Sequence, residues 1–341
     1  MPVRLRKQFK QPVNKNMIRK TLFLLLIVLL AACTSAQPPE QSSLLATDLP
    51  VSAQDAFAAT SQPTLDAVIE ATNLPATASI PPTSTAMPKP PLAEDAWKDM
   101  PAVPTEISDA MRAAYQRGVA AGNDPNRFSV IGDCQNVSSY FLAVFDKPGE
   151  FSLGEEYAYL QPTIDYYRGS FDRTSLAVKG GFNVAAILSP LRADPKACNT
   201  SESPLDCELR TSRPSVVFVS METWWSEKPA EVYDKHMRQV IERILATGAV
   251  PIIATKADNL EGDHSINATI AQIAYDYDIP LWNFWAAVQP LPNHGLSSDN
   301  FHLTFARNFF DDPVRMKSAW PWRNLTALQT LDVVRKGLTE K

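Results

Sequence analysis

From residue 97 onward, short apolar runs alternate with longer segments whose apolar residues recur every three or four positions. The short runs are rich in Val, Ile and Phe and predict strands, whereas the longer spacing predicts amphipathic helices. The predicted strands are residues 128–133, 175–179, 215–220, 250–255 and 280–285. The predicted helices are residues 105–120, a helix from about residue 183, residues 229–247, a helix capped by Asp263, and residues 325–336.

The order of these elements predicts the fold class. Strands that alternate with helices form a parallel sheet, because each crossover helix covers a face of that sheet. The run at 215–220, Ser-Val-Val-Phe-Val-Ser, shows no alternation, as expected of a strand buried on both faces. We therefore predict an α/β domain, a three-layer α/β/α sandwich with a mostly parallel sheet, over residues 97–341. Its length of about 245 residues is sufficient for one hydrophobic core.

The N-terminus has the pattern of an export signal. Residues 1–20 contain seven basic residues and no acidic one, and residues 21–32 form a short apolar run that ends at Cys33. A basic flank before such a run is typical of a secretory signal peptide, and the run is shorter than the roughly 20 residues of a membrane-spanning helix. Met17 is an alternative start, because residues 17–20 already supply a basic flank.

The four residues Leu30-Ala31-Ala32-Cys33 resemble the bacterial lipobox. The resemblance implies that residues 1–32 are a lipoprotein signal peptide and that the Cys33 sulfur carries a diacylglycerol. The mature chain would then be exported and anchored by lipid to the bacterial cell membrane or envelope, facing outward. The alternative is an ordinary signal peptide whose cleavage site happens to lie beside a cysteine.

Residues 33–96 differ in composition from the rest of the chain. They are dense in Pro, Ser, Thr, Ala and Gln and contain no glycine. Such a segment buries too little apolar surface to offset the loss of chain entropy, so we predict a disordered, extended tether. We also expect that everything through Lys98 can be removed without unfolding the domain.

The charge of the mature chain limits its partners. The full sequence has 32 basic and 37 acidic residues, and removal of the seven basic residues of the signal leaves a net charge near −12. So acidic a chain binds nucleic acid and anionic headgroups poorly, and contact with the membrane is expected through the lipid alone. No motif indicates a cofactor.

Three cysteines remain once Cys33 is assigned to the lipid. Cys198 and Cys207 lie in one polar segment, and the oxidising environment of an exported protein favours a disulfide between them. A metal pair is the alternative, although no second pair of ligands has matching spacing and no metal site is predicted. Cys134 stands outside this pair, which indicates either a buried, inert side chain or a reactive thiol.

Two segments of the domain resemble the SGNH (GDSL-type) hydrolases. One is Gly132-Asp133-Cys134 at the end of the first predicted strand, and the other is Asp299-x-x-His302 near the end of the domain. The resemblance covers about residue 128 to the last helix and implies a flavodoxin-like fold. It also implies hydrolysis of esters, including acyl groups on sugars. Cys134 would be the nucleophile, where the family has serine, with His302 as base and Asp299 as its partner.

The resemblance also assigns oxyanion donors. After the second predicted strand, Gly181 is the best match to the family's donor glycine, and Gly180 is next. After the third strand the family usually has Gly-x-Asn-Asp, but residues 221–225 read Met-Glu-Thr-Trp-Trp and lack the asparagine. Asn183 and Asn136 are candidates to replace it. The loss of one oxyanion donor typically costs about 10²–10³ in rate, which counts against ordinary activity.

The chemistry of a thiol nucleophile follows from its pKa. A histidine within hydrogen-bond reach can take the thiol proton, and an aspartate fixes the histidine tautomer. Free cysteine titrates near about 8.5, so a thiolate forms more easily than an alkoxide. A thiolate also leaves a tetrahedral intermediate more readily, so Cys134 suits acyl transfer or activated esters better than amides. The alternative is that Cys134 is a small buried filler at a strand end.

Aromatic residues near the strand ends extend the functional hypothesis. Trp224, Trp225, Trp282 and Trp285 follow or end predicted strands, where core packing is the usual role. At the carboxyl ends of parallel strands, Trp224 and Trp225 are also candidates for stacking on a sugar ring. The sequence therefore favours a surface-anchored ester hydrolase or acyltransferase that acts on an acyl ester or acylated glycan. The alternative is a non-catalytic glycan-binding module on a degenerate SGNH fold.

Overall fold

The computed structural model describes residues 89–221 and 228–340, and all elements below belong to these ranges. The strands are β1 (Asp124–Gly132), β2 (Phe151–Ser152), β3 (Pro214–Ser220), β4 (Val250–Ala254), β5 (Leu281–Trp282) and β6 (Asn308–Phe309). The α-helices are α1 (Asp109–Ala120), α2 (Gln161–Tyr166), α3 (Pro204–Ser212), α4 (Pro229–Ala246), α5 (Ser265–Tyr277), α6 (Phe284–Val288) and α7 (Ala319–Thr339).

Four strands form one parallel sheet in the order β1-β3-β4-β5. On the other side of β1, Val178 forms a parallel bridge with Gly132, and Gly132 N donates to Ala177 O at 3.1 Å. The second predicted strand segment therefore lies next to the first, as in flavodoxin-like, doubly wound sheets. The prediction of a flavodoxin-like α/β/α sandwich with a mostly parallel sheet is confirmed.

Helices cover both faces of the sheet. α1 and α7 pack against each other on one face, and α3, α4 and α5 form a continuous layer on the other. Between the layers, β3 is buried along its length up to Ser220. Phe218 on β3 contacts the rings of Phe128 and Trp282, each at a centroid distance of 5.9 Å. The hydrophobic core therefore follows β3, the strand whose apolar run is uninterrupted.

The segment at 175–179 forms only the single bridge to β1 and not the predicted strand. Leu176 N donates to Glu208 Oε2 at 2.8 Å. Glu208, on α3, is fully buried and also accepts hydrogen bonds from Ser129 and Arg173. Because a buried carboxylate satisfies the Leu176 amide, that amide does not join a ladder with β1.

Caps decide where several other elements begin and end. α1 begins at Asp109 and not at residue 105, because Ser108 Oγ accepts from Met111 N at 3.2 Å. β5 ends at Trp282, because Asn283 caps α6. The prediction lacks α2, α3, α6, β2 and β6, which have nine residues or fewer. Elements this short show little periodicity in sequence.

Residues ahead of position 97 contact α5. Lys89 Nζ donates to Tyr275 O at 2.9 Å, and Leu92 N donates to Gln272 Oε1 at 2.9 Å. The last residues of the predicted tether therefore contact the folded domain.

Trp97 belongs to the core. It is 2% exposed, and its ring lies 4.8 Å from that of Trp285. Its carbonyl accepts a hydrogen bond from Asn283 Nδ2 at 2.8 Å. This burial contradicts the expectation that the chain through Lys98 is dispensable, because removal would empty the space that the indole fills.

Several predicted features lie outside the described residues. These are the signal peptide at 1–32, the lipid attachment at Cys33, the tether up to residue 88, and the tryptophans Trp224 and Trp225. Across 89–221 and 228–340, no helix has the length and hydrophobicity needed to cross a bilayer.

Cys198 and Cys207 form the predicted disulfide, with Cα atoms 5.3 Å apart. Glu202 lies close to both sulfurs. Hydrogen bonds from Arg210 lower the pKa of the Glu202 carboxyl to about 2. The alternative of a metal pair is wrong, because the sulfurs are bonded to each other and the nearby carboxylate is held in an ion pair.

Candidate functional site

Cys134 is an exposed thiol at the carboxyl end of β1. Beyond Gly132, Asp133 Oδ1 accepts from Gln135 N at 2.9 Å and so caps a single 3₁₀ turn, Cys134–Asn136, here named the cysteine turn. Ligands of doubly wound sheets bind at this edge. Because Cys134 is exposed, the alternative that it is a buried filler is wrong.

Asn136 joins the ends of β1 and β3. Its Nδ2 donates to Ser220 O at 2.6 Å and to Asp133 Oδ1 at 3.3 Å, and the residue is 4% exposed. Gly132 makes this approach possible, because a β-carbon there would overlap both Asn136 Nδ2 and Ser220 O. Both amide protons of Asn136 are thus in use, which removes it from the candidate oxyanion donors.

Arg323 supports Asn136 from α7. Its Nη2 donates to Asn136 Oδ1 at 3.2 Å and to Ser220 Oγ at 3.0 Å. Arg323 is 1% exposed, and its guanidinium carbon lies 4.9 Å and 5.1 Å from the ring centroids of Phe141 and Trp282. These cation–π contacts offset part of the cost of burying a charge. The sequence analysis missed Arg323, because only the fold brings α7 to the ends of β1 and β3.

The turn at Gly180 and Gly181 lies beside the nucleophile position. A β-carbon at Gly180 would lie 4.0 Å from Cβ of Cys134. Phe182 N donates to Lys179 O at 3.0 Å, and Gly181 has φ +82°, as the third residue of a type II turn requires. Both glycines are exposed, and their N–H groups donate to no residue in the described part of the chain. The turn that approaches Cys134 at Gly180 thus contains two backbone N–H groups without a hydrogen-bond partner among the described residues.

Asn183 follows this turn and is 8% exposed. Its Oδ1 accepts from Ala185 N at 3.0 Å and from Ala186 N at 2.9 Å. The side-chain oxygen therefore stabilises the local backbone. Only the Nδ2 group of Asn183 is left as a donor for a substrate.

Asp299 and His302 form a hydrogen-bonded pair. His302 Nδ1 lies 2.6 Å from Asp299 Oδ2, and Asp299 Oδ1 accepts from Phe301 N and His302 N at 3.0 Å each. The hydrogen bond with His302, followed by the two backbone bonds, lowers the pKa of the Asp299 carboxyl to about 2. His302 Nε2 makes no hydrogen bond to a described residue, and its side chain is 64% exposed. The structure thus pairs the acid with the histidine, but no hydrogen bond joins His302 to Cys134.

The histidine loop, residues 296–304, is fixed to the start of α7. Thr304 Oγ1 accepts from Ala319 N at 2.9 Å, and Trp320 N donates to Thr304 O at 3.1 Å. Arg323 follows one turn later along the same helix. α7 therefore contacts both the histidine loop and the cysteine turn. Its first residues, ahead of the predicted start at 325, make these contacts.

An open cleft of about 330 Å³, here named the aromatic cleft, is lined by residues that follow the cysteine turn and the histidine loop in the chain. Its main lining residues are Ser139, Tyr140, Glu150, Phe305, Arg307 and Trp320. The Tyr140 ring stacks on that of Trp320 at 5.4 Å and meets that of Phe305 at 6.2 Å. Neither Cys134 nor His302 lines the cleft. The sequence analysis missed it, although Tyr140 and Phe305 closely follow the two motif segments.

Two of the four tryptophans singled out in the sequence have structural roles. Trp282 is fully buried, and its Nε1 donates to Thr326 Oγ1 at 3.0 Å. Trp285 packs edge-on against Trp97. Stacking on a sugar is thus excluded for Trp282.

Comparison with known proteins assigns the chain to no family: no protein-family model matches it, and no curated protein matches it. The described residues nonetheless present three separate parts of a possible acyl-transfer site. These are an exposed thiol at a strand end, two adjacent backbone donors and an oriented histidine.

Proposed function

We propose that the domain is a thiol-dependent ester hydrolase or acyltransferase of the SGNH type that acts on acyl esters, including those on carbohydrates. Cys134 is the nucleophile, His302 the base and Asp299 the residue that orients it. The observation that supports this most is the exposed Cys134 thiol at the carboxyl end of β1, with the Gly180–Gly181 turn approaching it at Gly180. A strand-end nucleophile next to backbone donors is the arrangement that acyl transfer needs.

The proposed reaction has two halves. His302 Nε2 takes the proton of Cys134, and the sulfur attacks the ester carbonyl to form a tetrahedral intermediate. The intermediate's oxyanion accepts hydrogen bonds from the Gly180 and Gly181 amides. Its collapse expels the alcohol oxygen, which takes the proton back from His302 and leaves an acyl thioester. Water, or a sugar hydroxyl in the transferase reaction, then attacks with His302 as base, and the acyl group leaves the sulfur.

Asp299 supports both halves by holding the imidazole. Its carboxylate accepts from Nδ1–H, which leaves Nε2 as the proton acceptor. With its pKa lowered to about 2, Asp299 stays ionised at neutral pH and stabilises the imidazolium that forms. In the described structure His302 Nε2 is exposed, so the reaction requires the ring and the thiol to come within hydrogen-bond reach when substrate binds.

The geometry also argues for weak activity on simple esters. Asn136 is committed to Ser220 and Asp133, so it does not replace the asparagine that SGNH hydrolases have after the third strand. A missing oxyanion donor typically costs about 10²–10³ in rate. Activated esters are therefore the best test substrates.

The test is hydrolysis of 4-nitrophenyl acetate by the wild-type chain, Cys134→Ala, Cys134→Ser and His302→Ala. We expect Cys134→Ala and His302→Ala to abolish turnover and the double variant to lose little more, because residues that act as a unit are not additive. Cys134→Ser should keep some activity and lose sensitivity to iodoacetamide. Equal hydrolysis by the wild type and Cys134→Ala would contradict the proposal.

One observation favours the second candidate, a non-catalytic glycan-binding module. The aromatic cleft exposes the rings of Tyr140 and Phe305 but is not lined by Cys134 or His302. A chain that retains polysaccharide through these rings, with no thiol-dependent turnover, would fit that function.

We also propose that the chain is exported and anchored through Cys33, on the strength of the Leu30-Ala31-Ala32-Cys33 sequence. Expression of Cys33→Ala with a labelled fatty acid tests this. Loss of label and of membrane fractionation is expected, and an unchanged label would rule out the lipid.

A further inference from the structure

The aromatic cleft combines exposed rings with charged side chains. Phe305 is 64% exposed and Tyr140 48% exposed, although both belong to an aromatic group with Trp320. Large apolar side chains exposed together commonly mark a binding surface. A ring lying flat on Phe305 or Tyr140 would cover apolar area that now faces water.

Arg307 is a basic side chain in the lining of the cleft. It is exposed, and within the described ranges its guanidinium forms neither an ion pair nor a side-chain hydrogen bond. A planar guanidinium binds a carboxylate with two parallel hydrogen bonds. Glu150 and Ser139, also in the lining, can accept hydrogen bonds from hydroxyl groups.

We propose that the aromatic cleft binds a pyranose ring that carries a carboxylate, that is, a uronic acid unit of an acylated polysaccharide. This inference rests on the proposed function, since the bound unit would present its ester to Cys134. The ring's C–H face lies on the aromatic group, its carboxylate pairs with Arg307, and its hydroxyls donate to Glu150 and Ser139. A volume of about 330 Å³ is at the small end for ligand sites and suits a single ring.

The charges argue against an aryl or alkyl acyl chain in this cleft. An apolar group there would remove water from Arg307 and Glu150 without replacing their hydrogen bonds, which is unfavourable. A sugar acid satisfies both side chains and still covers the exposed rings.

Binding is best measured on the full chain, with probes that carry no acyl ester and so cannot be turned over. The probes are trigalacturonate, the neutral trisaccharide maltotriose and benzoate, each titrated by calorimetry at low and at physiological salt. We expect trigalacturonate to bind more tightly than maltotriose, and the difference to shrink as salt rises.

Two cleft variants and two matched controls separate the contribution of the Arg307 charge to binding from that of the Phe305 ring. Arg307→Gln should weaken trigalacturonate binding by about tenfold or more and leave maltotriose unchanged, because it removes one charge-assisted pair. Phe305→Ala should weaken both sugars. The controls Arg192→Gln and Leu191→Ala remove an exposed arginine and an exposed apolar residue outside the cleft, and neither should change binding.

Three results would overturn the assignment: equal affinity for both trisaccharides, tighter binding of benzoate than of trigalacturonate, or an equal effect of Arg192→Gln and Arg307→Gln. The outcome is separable from that of the ester assay. If the chain binds uronate but the wild type hydrolyses no ester, the assignment of the cleft is supported and the proposed esterase activity is overturned. If the chain hydrolyses esters through the thiol but binds no uronate, the esterase activity is supported and the assignment of the cleft is overturned.

Discussion

Arg323 donates from Nη2 to Oδ1 of Asn136 at 3.2 Å, and this hydrogen bond joins the C-terminal helix α7 to the cysteine turn. Asn136 in turn donates to Ser220 O at 2.6 Å, at the end of β3. Because the histidine loop is bonded to the first turn of α7, one helix supports both parts of the candidate site.

Replacement of Arg323 by Met should lower the free energy of unfolding by about 2–4 kcal/mol, because Asn136 Oδ1 and Ser220 Oγ would lose a buried donor. Urea unfolding measures the change. Arg192→Met, at an exposed arginine, should stay within about 0.5 kcal/mol of the wild type. If the two variants unfold alike, the buried guanidinium does not stabilise the fold.

Gly132→Ala should disrupt the cysteine turn. A β-carbon at this position overlaps Asn136 Nδ2 and Ser220 O. Ser220 O is a backbone atom, and the end of the Asn136 side chain is held by hydrogen bonds to Ser220 O and Asp133 Oδ1. We expect a loss of about 2–4 kcal/mol in stability and a changed rate of Cys134 alkylation by iodoacetamide.

The control for Gly132→Ala is Gly149→Ala, where a β-carbon meets nothing within 4 Å. Its positive φ of +84° makes that change cost about 1 kcal/mol through backbone strain alone. Equal effects of the two substitutions would show that the overlap at Gly132 is relieved at little cost.

Asp299→Asn should reduce the rate of ester hydrolysis by up to about 10⁴-fold without abolishing it, because the imidazole keeps its position in the loop but loses its tautomer control. Steady-state rates with 4-nitrophenyl acetate provide the measurement, and circular dichroism checks that the fold is retained. A fall equal to that of His302→Ala would instead mean that the loop itself is displaced.

The Asp299 carboxyl should titrate at an unusually low pH. Its carboxyl pKa is lowered from 3.8 to about 2, so its contribution to stability is present above about pH 4 and is lost as pH falls through 2. The ¹³C chemical shift of the Asp299 side-chain carboxyl, followed against pH, measures this pKa. In His302→Ala the pKa should rise toward the ordinary value, since the largest cause is removed. A midpoint near 4 in the wild type would show that the pair does not persist in solution.

Truncation should distinguish the tether from the folded part. A chain that begins at Lys89 should keep its cooperative thermal transition, whereas one that begins at Asp99 loses Trp97 and should be destabilised by about 3–5 kcal/mol. Trp97→Ala in the full chain should reproduce most of that loss. If the shorter chain melts like the longer one, the indole at position 97 is not needed for stability.

Local patterns in the sequence determined the parts of this protein that depend on neighbours in the chain. The uninterrupted apolar run at 215–220 predicts the buried central strand, which is β3. The Asp299-x-x-His302 spacing places acid and histidine within one loop, and they are hydrogen-bonded. The export that the N-terminal pattern predicts, together with the cysteine count, predicts the disulfide, which is present. Burial, short-range spacing and the predicted compartment are sufficient to predict these three features.

The tertiary structure alone decided which polar groups remain available. Asn136 is a candidate oxyanion donor in sequence, but Ser220 O at the end of β3 and the Asp133 side chain accept both of its amide protons. The segment at 175–179 has the composition of a strand, yet Glu208 binds one of its amides from a distant helix. Arg323 and Arg307 both lie outside the predicted helices and strands, and only long-range packing buries the first and leaves the second exposed. Pairing of polar groups across the fold depends on residues far apart in the chain, which no local pattern encodes.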